Sequence, residues 1–493
     1  MGQQKYTGWR KPESTGLIPG LSVTTSVLAV LAAAVVVGLW FFGDAPIAAL
    51  TVLAVSVLFI APTMIRVRGS SAGDLVAAWV RTIPIRRREA HIVKTGLFSH
   101  IPGGRSQLPG FALPLVLKNC WDPDSGSDVA AILNLVQNTI TVELWVRAHG
   151  QDTLPQQIID GRVAGWGEFL RVLGEHGDVA AAVVVTDIVP ETGAYHNVEI
   201  DARRSSLAPG FAAEILEART DDLAADTMRT TQRIAITFRY SSGAFNDGAA
   251  SVSRRLPELR QAAARAGLEA DWATSAEIIA ATHAAFNPAA APLIDEHMAR
   301  VGDTGMTWSD AGPSYHDDQP RYYLHDSGRS MTYRAYDYPV QPVDEMSLAK
   351  ILRPNHRAPY KRVALIYRPY RPSDARRMVD ADYRDAFAAV QRRNRGLVDA
   401  RQQMRFEDLA ATREDLAEGH GLADVGMLIT ITVGLEQNGR DAAQMVDDTG
   451  LSSSLKFVPC YTDQASMFLV GLGIGVFPDM TETQGGVTDA FAA

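Results

Sequence analysis

Cysteine and lysine are scarce in this 493-residue chain, with two cysteines, Cys120 and Cys460, and seven lysines. Two cysteines so far apart, without repeated Cys/His spacing, exclude a zinc-finger framework and a disulfide scaffold and read as reduced, buried thiols. The lysine shortage bears on nucleotide hydrolysis. A P-loop needs a glycine-rich turn followed by Lys and then Ser or Thr. Only Lys94 precedes a Thr, and no glycine lies in the eight residues before it. Gly471, Gly473 and Gly475 have no following Lys and sit in an apolar setting, which suits close packing or a turn. Excess positive charge is missing too: a net charge of −9 excludes a molecule whose whole surface sheathes nucleic acid.

Charge is absent altogether from two long runs, Leu21 to Phe42 and Ala45 to Ile65, separated only by Gly43 and Asp44. A spanning helix needs roughly 20 apolar residues, so each run can cross a bilayer. Lys5, Arg10 and Lys11 precede the pair, and Arg66, Arg68, Arg81, Arg86, Arg87 and Arg88 follow it. Positive flanks stay inside, which predicts a transmembrane hairpin in the inner membrane with both termini cytoplasmic. A cleaved signal peptide would account for one run and not for two.

The rest has the composition and length of two or three globular domains. The stretch from Arg66 to Arg88 mixes arginines with an amphipathic segment, Asp74 to Val80, suited to an anionic leaflet surface or to a solvated connector. Thr139 to Arg147 alternates as a strand, Ile158 to Leu173 has helical spacing, and Val179 to Val189 is β-branched, so together they read as a β-α-β unit. Helices are expected over Ala212 to Met228, Val252 to Leu268 and Ser275 to Phe286, with a strand over Thr231 to Tyr240 and the helices covering one sheet face. After a polar, turn-rich stretch, further strands read over Arg321 to Leu324, Ser330 to Tyr336, Arg362 to Tyr367, Val425 to Val433 and Leu455 to Tyr461. One long helix is expected from Asp380 to Glu418, with shorter ones over Ala443 to Gly450 and Thr462 to Gly471. The expected fold class is α+β with split β-α-β character behind the hairpin. The divisions are an arm at 1–20, the hairpin at 21–66, a basic juxtamembrane linker at 67–90, a cytoplasmic domain at 91–301, a polar linker at 302–320, a second region at 321–480 and a tail at 481–493.

Two groups of side chains carry possible chemistry. His316, Asp318, His325 and Asp326 are metal-capable, but their spacing matches no ligand motif, and turns and strand ends produce such groups routinely. Ser327 and Ser330 near His325 lack a G-x-S-x-G elbow. Arg376, Arg377, Arg384, Arg392, Arg393 and Arg395 concentrate on the expected long helix, interleaved with acids as on a solvated, salt-bridged face or a docking surface.

Several phrases together resemble a known family. Gly8-Trp9-Arg10-Lys11-Pro12, Thr307 to Pro313, His325-Asp326-Ser327-Gly328, Arg362 to Pro369 and Tyr461 to Pro478 look like the actinobacterial integral membrane proteins of conjugative mobile elements. In that family a hairpin similar to PrgI proteins is joined to a region resembling the N-terminal, non-ATPase domain of VirB-type conjugation ATPases. The resemblance implies a noncatalytic scaffold of a type IV secretion machine that moves DNA. It also implies a conjugation ATPase supplied in trans, other secretion-system membrane components as partners, a ring of copies, and no cofactor. The alternatives are an anchor for another export system such as type VII secretion, and a membrane-tethered metal-dependent enzyme. Whether the arginines meet protein or DNA is open at this level.

Overall fold

A computed structural model describes residues 70–89, 91–95, 107–147, 154–203, 227–240, 245–338, 348–392, 400–437 and 439–477, with scattered positions elsewhere. The expected arm, almost all of the hairpin at 21–66, and the tail lie outside the described residues. Among the described residues no helix is long and apolar enough to cross a membrane.

Strands β1 (Arg66–Val67) and β2 (Ser70–Ser71) pair ahead of helix α1 (Ala72–Arg87), and strand β3 (Ile92–Lys94) follows. The next stretch runs β4 (Leu115–Asp122), β5 (Ser127–Asn134), β6 (Thr139–Arg147), α2 (Gln156–Glu175), β7 (Val179–Pro190) and α3 (Ala194–Arg203). It continues through β8 (Met228–Arg239), α4 (Phe245–Arg265), β9 (Glu269–Trp272), α5 (Ser275–Phe286) and α6 (Ala291–Val301). Then come β10 (Tyr315–Gln319), β11 (Tyr322–His325), β12 (Gly328–Asp337), α7 (Ala349–Leu352) and β13 (Tyr360–Pro369). The chain closes with α8 (Pro372–Arg392), α9 (Ala400–Glu418), β14 (Ala423–Gly434), α10 (Gly439–Ser452), β15 (Lys456–Pro459) and α11 (Gln464–Leu472).

The fold is mixed α+β around one large antiparallel sheet of 13 strands, in the order β3-β10-β11-β12-β14-β13-β7-β8-β6-β5-β4. Strand β15 pairs with β12, and β9 with β6. This order contains an internal repeat. Strands β4 to β8 lie in the order β4-β5-β6-β8-β7, and β10 to β14 in the order β10-β11-β12-β14-β13. In each half the sixth strand, β9 or β15, returns to the far end of the third, at Leu144–Arg147 in one case and Tyr333–Asp337 in the other. The hydroxyl pair Thr141–Thr237, 2.7 Å, recurs as Ser330–Thr432, 2.6 Å, with Thr141 and Ser330 each the third residue of its strand. The halves meet where β7 pairs antiparallel with β13, so a pseudo-twofold axis passes through the sheet at that seam.

Side chains alternate across a strand, so the two faces carry separate cores. Ala181, Val183 and Val185 of β7 pack with α5 and α11, whereas Ala182 packs with Phe169 and Leu173 of α2 and Leu256 and Leu259 of α4. Met427, Ile429 and Ile431 of β14 pack with Met445 and Val446 of α10. Helices therefore cover both faces, which corrects the one-sided layer expected from sequence. A sheet whose middle strands read as β-branched runs must be shielded on each side.

Other expectations change. The predicted helix from Asp380 to Glu418 is two helices packed on each other as a hairpin, with Tyr383 against Phe406 at 5.1 Å and Arg413 Nε on Asp380 at 3.0 Å. The sequence between them holds Asn394 and Gly396, both poor helix formers. The helix expected over Ala212 to Met228 falls largely outside the described residues, and Met228 itself opens β8. The stretch 302–320, read as a linker, contributes a 3-10 turn (Trp308–Ala311) and strand β10.

The glycines near the C-terminal end of α11 let it lie flat on the sheet. Gly473 and Gly475 have φ of +76° and +83°, which only glycine adopts cheaply. A Cβ on Gly475 would collide with Thr141 Oγ1.

Candidate functional site

Of the arginines expected on one helix, Arg376, Arg377, Arg384 and Arg392 lie on α8 of the α8–α9 hairpin, which takes the place of a tight turn between the neighbouring strands β13 and β14. Its base is fixed. The Tyr370 amide donates to Leu422 O at 2.9 Å, its hydroxyl donates to Asp424 Oδ2 at 2.6 Å, and the Gly421 amide donates to Gly167 O of α2 at 3.0 Å. A small core of Ala375, Val379 and Leu416 joins the two helices there. Further out, Tyr383, Phe387 and Phe406 stack on one another, and Phe387 remains exposed. Arg376, Arg377, Arg384 and Arg405 are exposed, with Arg377 bonded to Asp374 at 3.0 Å and Arg384 Nε to Asp380 O at 3.0 Å. The side chain of Arg392, and Arg393 and Arg395 entirely, lie outside the described residues. What the hairpin offers is a projecting element on a clamped base, with exposed arginines interleaved with acids and an aromatic cluster.

The histidine and aspartate group is dispersed into structural roles. His316 and His325 are register partners on β10 and β11, and both are buried. His325 Nδ1 donates to Phe286 O at 2.6 Å, so Nε2 must accept from the Ser330 hydroxyl at 2.7 Å, and Thr432 in turn donates to Ser330. Burial lowers its pKa to about 4, which keeps the ring neutral and compatible with this chain of bonds. Its ring packs against Phe468 at 4.9 Å and Tyr323 at 5.1 Å. Asp326 accepts from the amides of Ser314 and Tyr315, and Asp318 from the Ala465 amide at 3.2 Å. Among the described residues no group of three or more His, Cys, Asp and Glu side chains is placed to hold a metal ion. The His325–Ser330 contact has the separation of a base and nucleophile, but both residues are fully buried, out of a substrate's reach. Ser327 instead donates to Asn287 Oδ1 at 2.6 Å.

The seam between the halves holds charges that strand patterning hid. Strands β7, β8 and β13 are apolar enough for the middle of a sheet, yet on the face beneath α11 they carry Asp187, Arg233 and Arg362. Asp187 and Arg362 are register partners. Asp187 Oδ1 accepts from Arg362 Nε and Oδ2 from Arg233 Nη1, both at 2.6 Å, while Arg233 Nη2 donates to Leu472 O of α11 at 3.0 Å. Burial opposes ionisation of Asp187, but Arg362 and Arg233 outweigh it and hold its pKa below the ordinary carboxylate value. Glu143, 3.4 Å from Arg233 Nε, is pushed the other way, because burial exceeds the attraction of Arg233. The floor formed by these groups closes one side of a cavity of about 920 Å³, walled by α5 and α6 and reached past α3. At its edge Arg229 Nη2 donates to both oxygens of Asp295, at 3.1 and 2.9 Å.

Neither this seam nor its cavity was anticipated from the sequence. The available signal was Asp187 as the one charge in β7, with further charges in β8 and β13, which on the covered faces of a sheet require buried partners. No protein-family model matches the chain, and no curated protein sequence matches it.

Proposed function

We propose that this protein is a noncatalytic, membrane-anchored scaffold of a conjugative type IV secretion machine, docking a separate P-loop ATPase through the α8–α9 hairpin. The observation that carries the reading is the hairpin itself: a projection with exposed arginines and an aromatic cluster, held on a rigid base by flanking ten- and twelve-residue strands. Projections of this kind, with aromatic and arginine side chains together, have the composition of interface hot spots. Two uncharged runs at 21–42 and 45–65 supply the anchor. Helix α1 adds a surface for the bilayer, since Val76, Trp79 and Val80 are exposed at helical neighbour spacing and Arg86 and Arg87 end the helix. The absence of a P-loop in the sequence assigns the energy source to a partner.

The test is affinity purification of the detergent-solubilised protein from the cells that make it, followed by mass spectrometry. Recovery of a P-loop conjugation ATPase supports the reading. Recovery of a type VII-like export ATPase, or of none, overturns it.

A further inference from the structure

The cavity at the seam has the properties of a ligand site that the scaffold reading does not use. Its volume of about 920 Å³ is near the upper end of the range for drug-sized ligands, and it sits between two structural halves, where such sites concentrate. One wall is a run of small residues on α5, Ala280, Ala281, Ala284 and Ala285, which keeps the space open and apolar. The opposite side is charged. Two guanidiniums, Arg362 and Arg233, share the carboxylate of Asp187, and Glu143 lies beside Arg233 at 3.4 Å.

Two of the acids around the rim pair with arginines, and two accept from neutral donors. Asp295 is held by Arg229 and by Thr192, Glu277 by Thr274, and Glu191 by the Gly193 amide, while Glu199 pairs with Arg203. Arg362 is different. Its Nε is committed to Asp187, but among the described residues neither Nη group has a hydrogen-bond partner, and the side chain lines the cavity. A planar fork with two free donors in an apolar enclosure matches the paired oxygens of a carboxylate or phosphate.

We infer that the cavity binds a small amphiphile with one anionic head, a carboxylate or a phosphate monoester, seated on Arg362 with its apolar body against the alanine wall of α5. The head accepts from the Nη groups of Arg362, on a side of the cavity also lined by Thr430 and Thr432. The site spans both halves, contacting β7 and β8 from one and β13 and β14 from the other, so an occupant ties the seam together.

The experiment uses the full-length protein in lipid nanodiscs and three probes with one aromatic body: 2-naphthoate, 2-naphthyl phosphate and neutral 2-naphthol. Saturable binding of either anion, at least tenfold tighter than 2-naphthol, is expected. The tighter of the two names the head group. Ala284→Phe places a ring in the cavity from the α5 wall and should weaken binding at least tenfold at an unchanged thermal midpoint. Arg362→Gln should weaken the anions at least tenfold without changing 2-naphthol, and Arg362→Lys should restore part of the loss. No saturable binding by the folded wild-type protein, equal binding of the neutral probe, or anion binding untouched by Ala284→Phe would overturn the inference.

Discussion

Gln464 and Thr332 are joined as two strands would be: Gln464 Oε1 accepts from the Thr332 amide at 2.8 Å, and its Nε2 donates to the Thr332 carbonyl at 3.2 Å. The same Nε2 donates to Cys460 O at 2.9 Å. One side-chain amide at the start of α11 thus completes the backbone pairing of β12 where β11 has ended and β15 is departing. Replacement by leucine keeps the volume and leaves the buried Thr332 amide without a partner, at about 1–3 kcal/mol, whereas the Thr332 carbonyl keeps the Cys460 amide at 3.0 Å and the Cys460 carbonyl keeps the Asp463 amide at 3.4 Å. Gln464→Leu should lower unfolding stability by about 2 kcal/mol, read from urea midpoints by tryptophan fluorescence; a loss below about 0.5 kcal/mol would refute this role.

Gly475 sits against Thr141 at positive φ, so a methyl group there is penalised twice, by backbone strain of about 1–3 kcal/mol and by the collision with the hydroxyl. Gly475→Ala should cost about 3 kcal/mol. In the Thr141→Ala background the collision disappears and the backbone strain stays, so the double variant should lose less than the sum of the singles. Simple additivity would place the cost elsewhere.

Buried groups around Tyr323 predict opposing pH effects. Burial lowers the pKa of His316 and of His325 from 6.5 to about 4, so between these values the unfolded chain holds two more protons and stability rises with pH. Burial raises Asp318 from 3.8 to about 7, so over the same window the folded chain holds one more proton and stability falls with pH. The net slope is one proton, upward. Asp318→Asn removes the opposing contribution and retains an acceptor for the Ala465 amide. Relative to wild type, the variant should gain up to about 1.4 kcal/mol per pH unit between pH 4.5 and 6.5. Parallel stability profiles would show that Asp318 ionises normally.

The docking proposal predicts that Arg376→Glu, Arg377→Glu and Arg384→Glu together leave membrane insertion and the unfolding midpoint unchanged while reducing ATPase recovery at least tenfold. The same result is expected from Arg392→Glu, Arg393→Glu and Arg395→Glu. Undiminished recovery with both sets would remove the hairpin from the interface.

The anchor proposal predicts that Val35→Lys impairs insertion by roughly 3 kcal/mol, the cost of a central charge in a spanning helix. Carbonate extraction of cell membranes reads this as a shift of the protein to the soluble fraction. Full retention in the membrane would argue against a span at this position.

Strand chemistry was legible where burial is symmetrical. The runs around Val183, Ile236, Leu365 and Ile429 are apolar or β-branched on both faces because helices cover both, and each is a strand. The β4–β5 hairpin was not legible, because Lys118, Asn119 and Asp128 interrupt it at the edge of the sheet, where one side meets solvent. The helix break after α8 was hidden by charges that suit helix throughout Asp380 to Glu418. The repeat and its seam are matters of long-range register: nothing local in Asp187 says that Arg362, 175 positions later, lies beside it. Among the metal-capable residues, spacing alone could not reveal that His325 spends both nitrogens on Phe286 and Ser330.

The pairing of β3 with β10 sets the order in which the body can be completed. Lys94 leaves the ribosome roughly 220 residues before Tyr315, its register partner. At about 5–20 residues per second the early strand waits roughly 10–45 s for its neighbour. The edge formed by β3 and β10 therefore closes only after more than half of the chain has been made, and under the anchor proposal β3 spends that wait beside the bilayer.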